Sequence, residues 1–404
     1  MRTPHLNAKL QGFGTTIFAE MSALATATGA INLGQGFPDV DGPSEVLEAA
    51  VDAIRSGRGN QYPPGTGIPE LRHAIATHQH RFYGITLDPD CQVLVTTGAT
   101  EAIAAAMLAL LETGDECILL EPFYDSYPAG IAMAGAICVP VTLHPPVTLQ
   151  PPVAHADGSF QLDLDQLRGA ITARTKLLVV NTPHNPSGTV FERATLEGIA
   201  ALAIEHDLLV LSDEAYEHLT YDGATHIPIS TLPGMADRTI TVGSAGKTFS
   251  LTGWKVGWVT GTPELVTAVR TAKQFLTYVS AGPFQYAIAV GLGLPDTFYR
   301  EFADALAAKR DRLATGLRNA EFTVYQPRGT YFITTDIRPL GESDGMAFCR
   351  SLPERCGLVA VPNVVFYINK PAGRSLVRFA FCKRNDVIDD AVRRLTSRAD
   401  GRAT

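Results

Sequence analysis

The chain has 404 residues, which is too long for one small core, so we expect two domains or a large domain with a smaller one. Hydrophobic residues make up 46% and charged residues 18%, as in a globular protein, and the formal net charge of -8 argues against non-specific nucleic-acid binding. No apolar run approaches the roughly 20 residues of a membrane span, and the start lacks a signal-peptide core. We therefore predict a cytoplasmic protein that binds neither membrane nor nucleic acid.

The cysteines carry no C-x-x-C pair, and three of them lie in apolar runs typical of strands. We predict buried, reduced thiols, with neither a disulfide nor a metal site. The six residues are Cys91, Cys117, Cys138, Cys349, Cys356 and Cys382.

Short apolar runs alternate with helical patterns along the first two thirds of the chain. Strands are predicted at 91–97, 116–120, 136–143, 176–181, 207–213, 239–244 and 256–261, and helices at 101–112, 193–206 and 263–276. This alternation predicts an α/β fold with a mostly parallel sheet covered by helices on both faces. The segment 144–160 carries four prolines, and we interpret it as an extended surface loop.

After about residue 290 the pattern changes. A long helix at roughly 296–319 precedes two short strands, a helix near 343–355 and a strand at 375–381. This order is typical of an α+β unit, which we predict to be the smaller domain.

The stretch "GSAGKT" at 243–248 has two interpretations. A phosphate-binding P-loop needs a glycine at 241, where the chain has Thr241, and a helix after the lysine, where Gly253 and another strand follow soon. Ser244 and Lys247 also match the spacing of penicillin-binding enzymes, but the S-D-N and K-T-G tripeptides of those enzymes are missing. Both interpretations fail, which leaves a turn that presents one lysine.

Polar residues follow several of the predicted strands. Asp213, Asn185, Gly98–Thr100 and Lys247 all lie at carboxyl ends, where ligands gather in a parallel sheet, and Arg378 interrupts an apolar strand near the C-terminus. Together they offer a carboxylate, an amide, free helix amides for a phosphate, an amine and a guanidinium. Pyridoxal phosphate, with its phosphate, pyridine nitrogen, phenolic oxygen and aldehyde, needs such a set.

With these residues in place, the chain resembles the fold-type-I aminotransferases over nearly its whole length. The motifs "LGQGFPD", "NQYPPGTG", "GATEAI", "EPFYDSY", "NTPHNPSG", "SDEAYE", "SAGKTFSLTGWKVGW" and "LVRFAFCK" occur in the order of that family. Within it, the chain resembles the kynurenine/glutamine transaminase branch, and there the bacterial N-succinyldiaminopimelate aminotransferases. The resemblance implies an N-terminal arm (1–30) that joins the small domain, a large cofactor-binding domain (31–290) and a small α+β domain (291–404).

The resemblance also implies the role of each site residue. Lys247 matches the Schiff-base lysine, and Asp213 the partner of the pyridine nitrogen. Tyr216 and Asn185 match the groups that bind the phenolic oxygen, and Tyr124 the ring stacked on the cofactor. The phosphate contacts match Gly98, Ala99, Thr100, Ser244 and Lys255.

Two further implications concern the second subunit and the substrate. Tyr62 matches a tyrosine that reaches the phosphate of the partner subunit, so the resemblance implies a homodimer with shared active sites. Gly34, Asn185 and Arg378 match the groups that bind the substrate α-carboxylate.

Two departures affect specificity. Position 255 is a lysine where aspartate aminotransferases have an arginine, and the segment 275–285, where the family reads the substrate side chain, has no arginine. We expect N-succinyl-2-amino-6-oxopimelate as substrate with glutamate as donor. A broad kynurenine, glutamine or methionine transaminase, a cysteine-conjugate β-lyase and a non-catalytic cofactor-binding regulator are the alternatives.

Overall fold

A sheet of seven strands forms the centre of the fold in the computed structural model, which describes residues 3, 5–14, 16–146, 158–280 and 282–399. Across these ranges the strands are β1 (Ile31–Asn32), β2 (Val93–Thr96), β3 (Glu116–Glu121), β4 (Ile137–Thr142), β5 (Thr175–Asn181), β6 (Leu209–Asp213), β7 (Thr239–Ser244), β8 (Gly257–Thr260), β9 (Thr323–Tyr325), β10 (Phe332–Asp336), β11 (Leu358–Val359), β12 (Val361–Pro362) and β13 (Leu376–Ala380).

The large sheet has the strand order β2-β8-β7-β6-β5-β3-β4. Strand β8 runs antiparallel to both of its neighbours, and every other pair in this sheet is parallel. The prediction of a mostly parallel sheet is confirmed, and so is the existence of all seven predicted strands.

Helices cover the sheet and link its strands. In the described part of the chain they are α1 (Ile17–Thr28), α2 (Ser44–Arg55), α3 (Pro69–Tyr83), α4 (Gly98–Leu110), α5 (Ser126–Ala134), α6 (Leu164–Ala170), α7 (Arg193–Glu205), α8 (Ala245–Thr248), α9 (Pro263–Lys273), α10 (Gly282–Leu292), α11 (Asp296–Asn319), α12 (Gly345–Cys356), α13 (Lys370–Gly373) and α14 (Asn385–Ala399).

Strand β5 shows why the strands of the large sheet are continuously apolar in sequence and do not alternate with polar residues. Leu177 and Val179 join one buried cluster, which also contains residues of α4 and α9, whereas Leu178 and Val180 join another that contains residues of α7. Successive side chains of a strand point to opposite faces, so a sheet buried on both faces needs apolar residues at consecutive positions.

A second sheet, with the order β12-β13-β10-β9, is antiparallel throughout. Strand β1 pairs with β11 in parallel, which attaches the N-terminal segment to this later part of the chain. The predicted helices 296–319 and 343–355 are found as α11 and α12. The domain boundaries at residues 30 and 290 stay predictions.

Other sequence expectations have mixed outcomes. Cys117, Cys349 and Cys382 are buried, but the expectation of buried thiols is wrong for Cys91, which is exposed because it lies before β2 begins. Residues 147–157 of the proline-rich segment lie outside the described residues. None of the helices in the described residues is long and apolar enough to span a bilayer.

The strand ends gather at one edge of the large sheet. Asn181 ends β5, Asp213 ends β6 and Ser244 ends β7, and the register pairs Asn181 with Asp213. The Asn181 side-chain amide donates to the Asp213 carbonyl over 2.9 Å. Parallel pairing therefore brings polar residues distant in sequence to a single edge, which is where open α/β sheets bind their ligands.

Gly243, in the strand that ends at this edge, allows close packing on Trp258 of β8. A Cβ at position 243 would lie 2.2 Å from Cε2 of the indole, which is 1% exposed. We predict that Gly243→Ala lowers the free energy of unfolding by about 1–3 kcal/mol, because the ring has nowhere to move.

Urea denaturation of wild type and variant measures this loss. Gly169→Ala is the matched control, since no atom lies within 4 Å of its added Cβ and alanine is the better helix former by about 0.8–1.0 kcal/mol. A Gly243→Ala protein as stable as wild type would show that the indole is not held tightly.

Candidate active site

A cavity of about 280 Å³ lies at the strand-end edge of the large sheet. Eleven of the thirteen predicted site residues line it, so the structure brings together groups from separate strands and from the far C-terminal region. They are Gly98, Ala99, Thr100, Tyr124, Asn185, Asp213, Tyr216, Ser244, Lys247, Lys255 and Arg378.

Asp213 brings a carboxylate to this cavity at 5% exposure. Its side chain accepts hydrogen bonds from the Tyr127 hydroxyl (2.6 Å) and from the Ala215 backbone amide (3.1 Å). Burial raises the pKa of Asp213, while these two donors and the charge of Lys247 act in the opposite direction. The carboxylate is thus fixed in orientation and poorly solvated, which makes it a strong partner for a cationic group of a ligand.

Lys247 lies on the single turn of α8, directly after β7, and its Nζ donates to the Tyr331 hydroxyl over 2.9 Å. That hydroxyl donates in turn to the Gly36 carbonyl over 2.6 Å. Burial lowers the pKa of Lys247 to about 8, and the charges of Lys255 and Arg378 contribute to the decrease. A substantial fraction of this amine is neutral near physiological pH, as a nucleophile or a general base requires.

Arg378, in the middle of β13, holds its guanidinium inside the protein at 2% exposure. One nitrogen donates to the Asn185 side-chain oxygen and another to the Gly34 carbonyl, both over 3.0 Å. The Phe332 ring lies 3.9 Å from the guanidinium carbon, and burial lowers the pKa of Arg378 to about 10. Its Nε is buried without a hydrogen-bond partner. A neutral amide, a carbonyl and a ring orient the charge. Among the residues that the structure describes, no carboxylate forms an ion pair with it, so it can bind an anion.

The N-terminus of α4 offers a second anion-binding region. Gly98 begins this helix with a φ of +72°, and an added Cβ would lie 3.3 Å from Nζ of Lys255. Lys255 itself has a φ of +54°, an uncommon backbone conformation for a residue other than glycine. Gly257 lets the strand approach, because a Cβ there would lie 2.8 Å from the Ala99 amide nitrogen. Free helix amides and an ammonium group therefore face the same place.

The two predicted aromatic residues also line the cavity. Tyr216 packs edge-on against Tyr331, with ring centroids 5.2 Å apart, and Tyr124 packs edge-on against Tyr127 at 5.7 Å. Burial raises the pKa of both Tyr216 and Tyr124, so each keeps its hydroxyl proton at neutral pH and can donate it.

Two predicted residues do not line the cavity. Gly34 contributes through its carbonyl, which holds Arg378, and Tyr62 is 82% exposed, with its ring against Tyr278 at 5.6 Å. Arg328 and Lys273, two cations that could be considered as partners for a substrate side chain, do not line the cavity either. Arg328 pairs with Glu192 at 3.6 Å, and Nζ of Lys273 donates to the Tyr278 carbonyl over 2.7 Å.

Sequence reasoning missed Tyr127, Tyr331 and Gly36. Tyr127 orients Asp213, Tyr331 accepts from the amine of Lys247, and the Gly36 carbonyl fixes the Tyr331 hydroxyl. Tyr127 and Gly36 belong to quoted motifs, "EPFYDSY" and "LGQGFPD", so their positions carried a signal. Nothing near Tyr331 in the sequence points to a lysine 84 positions away.

The comparisons with known proteins agree with this site. The sequence profile of the aminotransferase class I and II family matches residues 28–395, and the chain belongs to that family. It is an aminotransferase with the aspartate aminotransferase-like fold.

Individual relatives cover nearly the full length. The chain is 50% identical to a probable N-succinyldiaminopimelate aminotransferase of Mycobacterium tuberculosis, over 98% of this chain and 99% of the relative. It is 37% identical to a methionine aminotransferase of Escherichia coli, over 96% and 97%. The solved N-succinyldiaminopimelate aminotransferase of M. tuberculosis superposes with a TM-score of 0.92, covering 97% of this chain and all of that one (100%) at 50% identity.

The lowered pKa of Lys247 predicts a distinctive labelling profile in protein freed of bound small molecules. Acylation of Lys247 by an amine-directed reagent should reach half of its maximum near pH 8. Exposed lysines should reach half-maximal acylation only at a pH of about 10.4. Tyr331→Phe removes the oxygen that accepts from the ammonium form, so the midpoint should move to lower pH.

Quantitative mass spectrometry of the Lys247 peptide after brief labelling at each pH measures the midpoint. Peptides from exposed lysines in the same sample are the internal reference. A Lys247 midpoint equal to theirs would contradict the assigned environment.

Proposed function

We propose that this aminotransferase uses pyridoxal phosphate to move an amino group between glutamate and N-succinyl-2-amino-6-oxopimelate. The observation that carries the cofactor assignment is the cavity itself, where Asp213, Lys247, Arg378 and the start of α4 face one another. The substrate assignment is supported by the 50% identity to the M. tuberculosis relative.

The donor set fits pyridoxal phosphate. Asp213 suits the pyridine nitrogen, the α4 amides with Ser244 and Lys255 suit the phosphate, and Lys247 suits the aldehyde. The phenolic oxygen has two uncharged partners in reach of the cavity, the Tyr216 hydroxyl and the Asn185 amide, and the Tyr124 ring would lie against the cofactor ring. The positive φ of Gly98 and the absence of a side chain at Gly257 let the start of α4, the neighbouring strand and the Lys255 ammonium group come close together, as phosphate binding requires.

When bound, pyridoxal phosphate supplies an electron-accepting ring for the negative charge that develops at the substrate Cα. Asp213 keeps the ring nitrogen protonated, which a buried carboxylate with fixed geometry does well. Lys247 would take the proton from the substrate Cα and hold it on its amine for the return step, as an amine with a pKa of about 8 can do near neutral pH.

Arg378 binds the α-carboxylate of every substrate. Its guanidinium is already oriented by Asn185 and Gly34, so little side-chain entropy is lost on binding. By fixing the carboxylate, Arg378 would decide which bond of the substrate Cα faces Lys247, and hence which proton Lys247 can remove.

The distal carboxylates of the N-succinyl substrate need other partners. Among the described residues that line the cavity, the cations are Lys247, Lys255 and Arg378, and each has a role already. We infer that amides and hydroxyl groups, or the second subunit, bind the succinyl end. The same scarcity of cations favours the alternative, a broad kynurenine, glutamine or methionine transaminase, which the 37% identity to a methionine aminotransferase also supports.

We further propose a homodimer whose active sites are shared. Tyr62, Phe275, Leu276 and Tyr278 expose apolar or aromatic surface, between 44% and 85% of each residue. A cluster of this kind is typical of an interaction surface, and it surrounds the tyrosine proposed to reach the partner's phosphate. The cytoplasmic location stays a prediction.

A panel of substrates tests the proposed function. With glutamate as donor, the purified enzyme should convert the acceptor N-succinyl-2-amino-6-oxopimelate with a high kcat/KM. The kcat/KM values for methionine, kynurenine and glutamine as alternative donors should be lower. Faster turnover of those three donors would favour the broad transaminase. Pyruvate and thiol released from S-substituted cysteine, in preference to transamination, would indicate a β-lyase.

The carboxylate role of Arg378 predicts a large effect of Arg378→Lys. An ammonium cannot match both carboxylate oxygens, so kcat/KM should fall tens to thousands-fold, about 2–5 kcal/mol, for every amino acid donor. Amines without a carboxylate serve as the control and should be nearly unaffected. A loss confined to dicarboxylic donors would instead make Arg378 a side-chain reader.

The shared site predicts complementation between two inactive proteins. Mixing Lys247→Ala with Tyr62→Ala should restore part of the activity, because each hybrid dimer has one site with both residues intact. Subunit exchange is verified separately by mass spectrometry of differently labelled chains. Exchange without any recovered activity would contradict a role of Tyr62 across the interface.

A further inference from the structure

A buried group of histidines and a carboxylate lies apart from the catalytic cavity. His78 comes from α3, and Glu217 and His218 come from the turn after β6, four and five positions beyond Asp213. None of the three lines the cavity. We call this set the His–Glu cluster.

The ligand atoms of the His–Glu cluster converge. One nitrogen from each histidine and one oxygen of Glu217 all lie within 4.8 Å of one another, and Nε2 of His78 is 2.7 Å from Nε2 of His218. Two imidazoles and a carboxylate are the ligand set of one group of three-residue zinc sites. His78 and Glu217 are 1% and 5% exposed, while His218 is partly exposed and leaves a path for an ion.

Glu217 is a buried carboxylate whose hydrogen-bond partners are neutral. The Gln79 side-chain amide donates to it over 3.3 Å, and the Tyr83 hydroxyl is its other partner. In the described part of the chain, no lysine or arginine forms an ion pair with it. Buried carboxylates normally have a cationic partner, because the desolvation of an isolated charge is costly.

A fourth ligand atom, an amide oxygen, is available beside the cluster. Oε1 of Gln79 is buried and has no hydrogen-bond partner, although the nitrogen of the same amide faces both Glu217 and His78. Half a turn of this amide would present the oxygen instead. An unsatisfied buried acceptor next to three ligand groups is a second, independent indication of a missing cation.

We propose that His78, Glu217 and His218 bind a divalent transition-metal ion of the zinc class. Zinc lies about 2.0–2.2 Å from nitrogen and oxygen ligands, so tetrahedral ligand atoms are roughly 3.3–3.5 Å apart. When the ion replaces the hydrogen bond between the two Nε2 atoms, their distance must therefore increase by less than about 1 Å. Small side-chain rotations can provide this increase.

Neighbouring charges permit a dication. The cationic Arg81 is nearby but is held by Asp296 and the Leu294 carbonyl. Glu214, whose carboxylate lies 2.8 Å from Nε2 of His226, is close enough to act electrostatically on Glu217, and its charge favours a cation there. Aromatic rings complete the surroundings, with Tyr299 4.3 Å from the His218 ring and Phe82 4.8 Å from that of His78, and such an apolar shell strengthens metal binding.

Zinc titration of the full-length protein, retaining its cofactor and lacking any affinity-tag histidines, tests the proposal. After dialysis against a chelator, equilibrium dialysis with zinc at micromolar concentrations should give one zinc per chain by elemental analysis. His78→Gln and Glu217→Gln should each bind zinc at least about tenfold more weakly, because each loses one of three ligands.

Two control variants separate this site from adventitious binding. His80→Gln changes an exposed histidine on the same helix, and Cys91→Ser removes the exposed thiol, and both should keep one zinc. Thermal unfolding without zinc checks that every variant is folded; if His78→Gln is not, Glu217→Gln carries the test. No zinc in the wild type, equal zinc in the ligand variants, or loss of zinc in either control would overturn the proposal.

Discussion

The withdrawal of three charged side chains from water around one cavity is the constraint on which the rest of this structure depends. Asp213 and Arg378 are 5% and 2% exposed, and burial moves the pKa of Lys247 to about 8. Each of these charges costs free energy that the fold must offset with fixed hydrogen bonds. This arrangement favours binding and catalysis, because oriented and poorly solvated charges bind ligands strongly and need little reorganisation during a reaction.

The backbone is arranged to meet this constraint. Parallel strands end at a common edge, so the Asp213 carboxylate and the turn bearing Lys247 lie side by side, and the Asn181 amide ties two of the strand ends together. Arg378 comes from the other, antiparallel sheet, and its bonds to Asn185 and Gly34 join segments 193 and 344 positions apart. The guanidinium of Arg378 therefore also joins the antiparallel sheet to the loop that follows β5.

Much of the large sheet and of the candidate site could be predicted from the sequence. Strands that are buried on both faces consist of consecutive apolar residues, and the polar residues that follow such runs lie at the strand ends. Asp213 and Lys247 were accessible in this way, and Arg378 was conspicuous as an arginine within an apolar strand. Tyr331 was not, since its hydrogen bond to Lys247 depends on how the two sheets meet, which no local pattern encodes. The role of Tyr62 depends on a second chain and stays a prediction.

We propose above all that the amine of Lys247 carries pyridoxal phosphate. The most direct measurement is borohydride reduction of the purified, coloured protein, followed by proteolysis and mass spectrometry of the modified peptide. We predict that the visible absorption disappears and that the cofactor's mass is found on Lys247 alone. A cofactor fixed on another lysine, or a colourless protein that gains no visible absorption when pyridoxal phosphate is added, would contradict it.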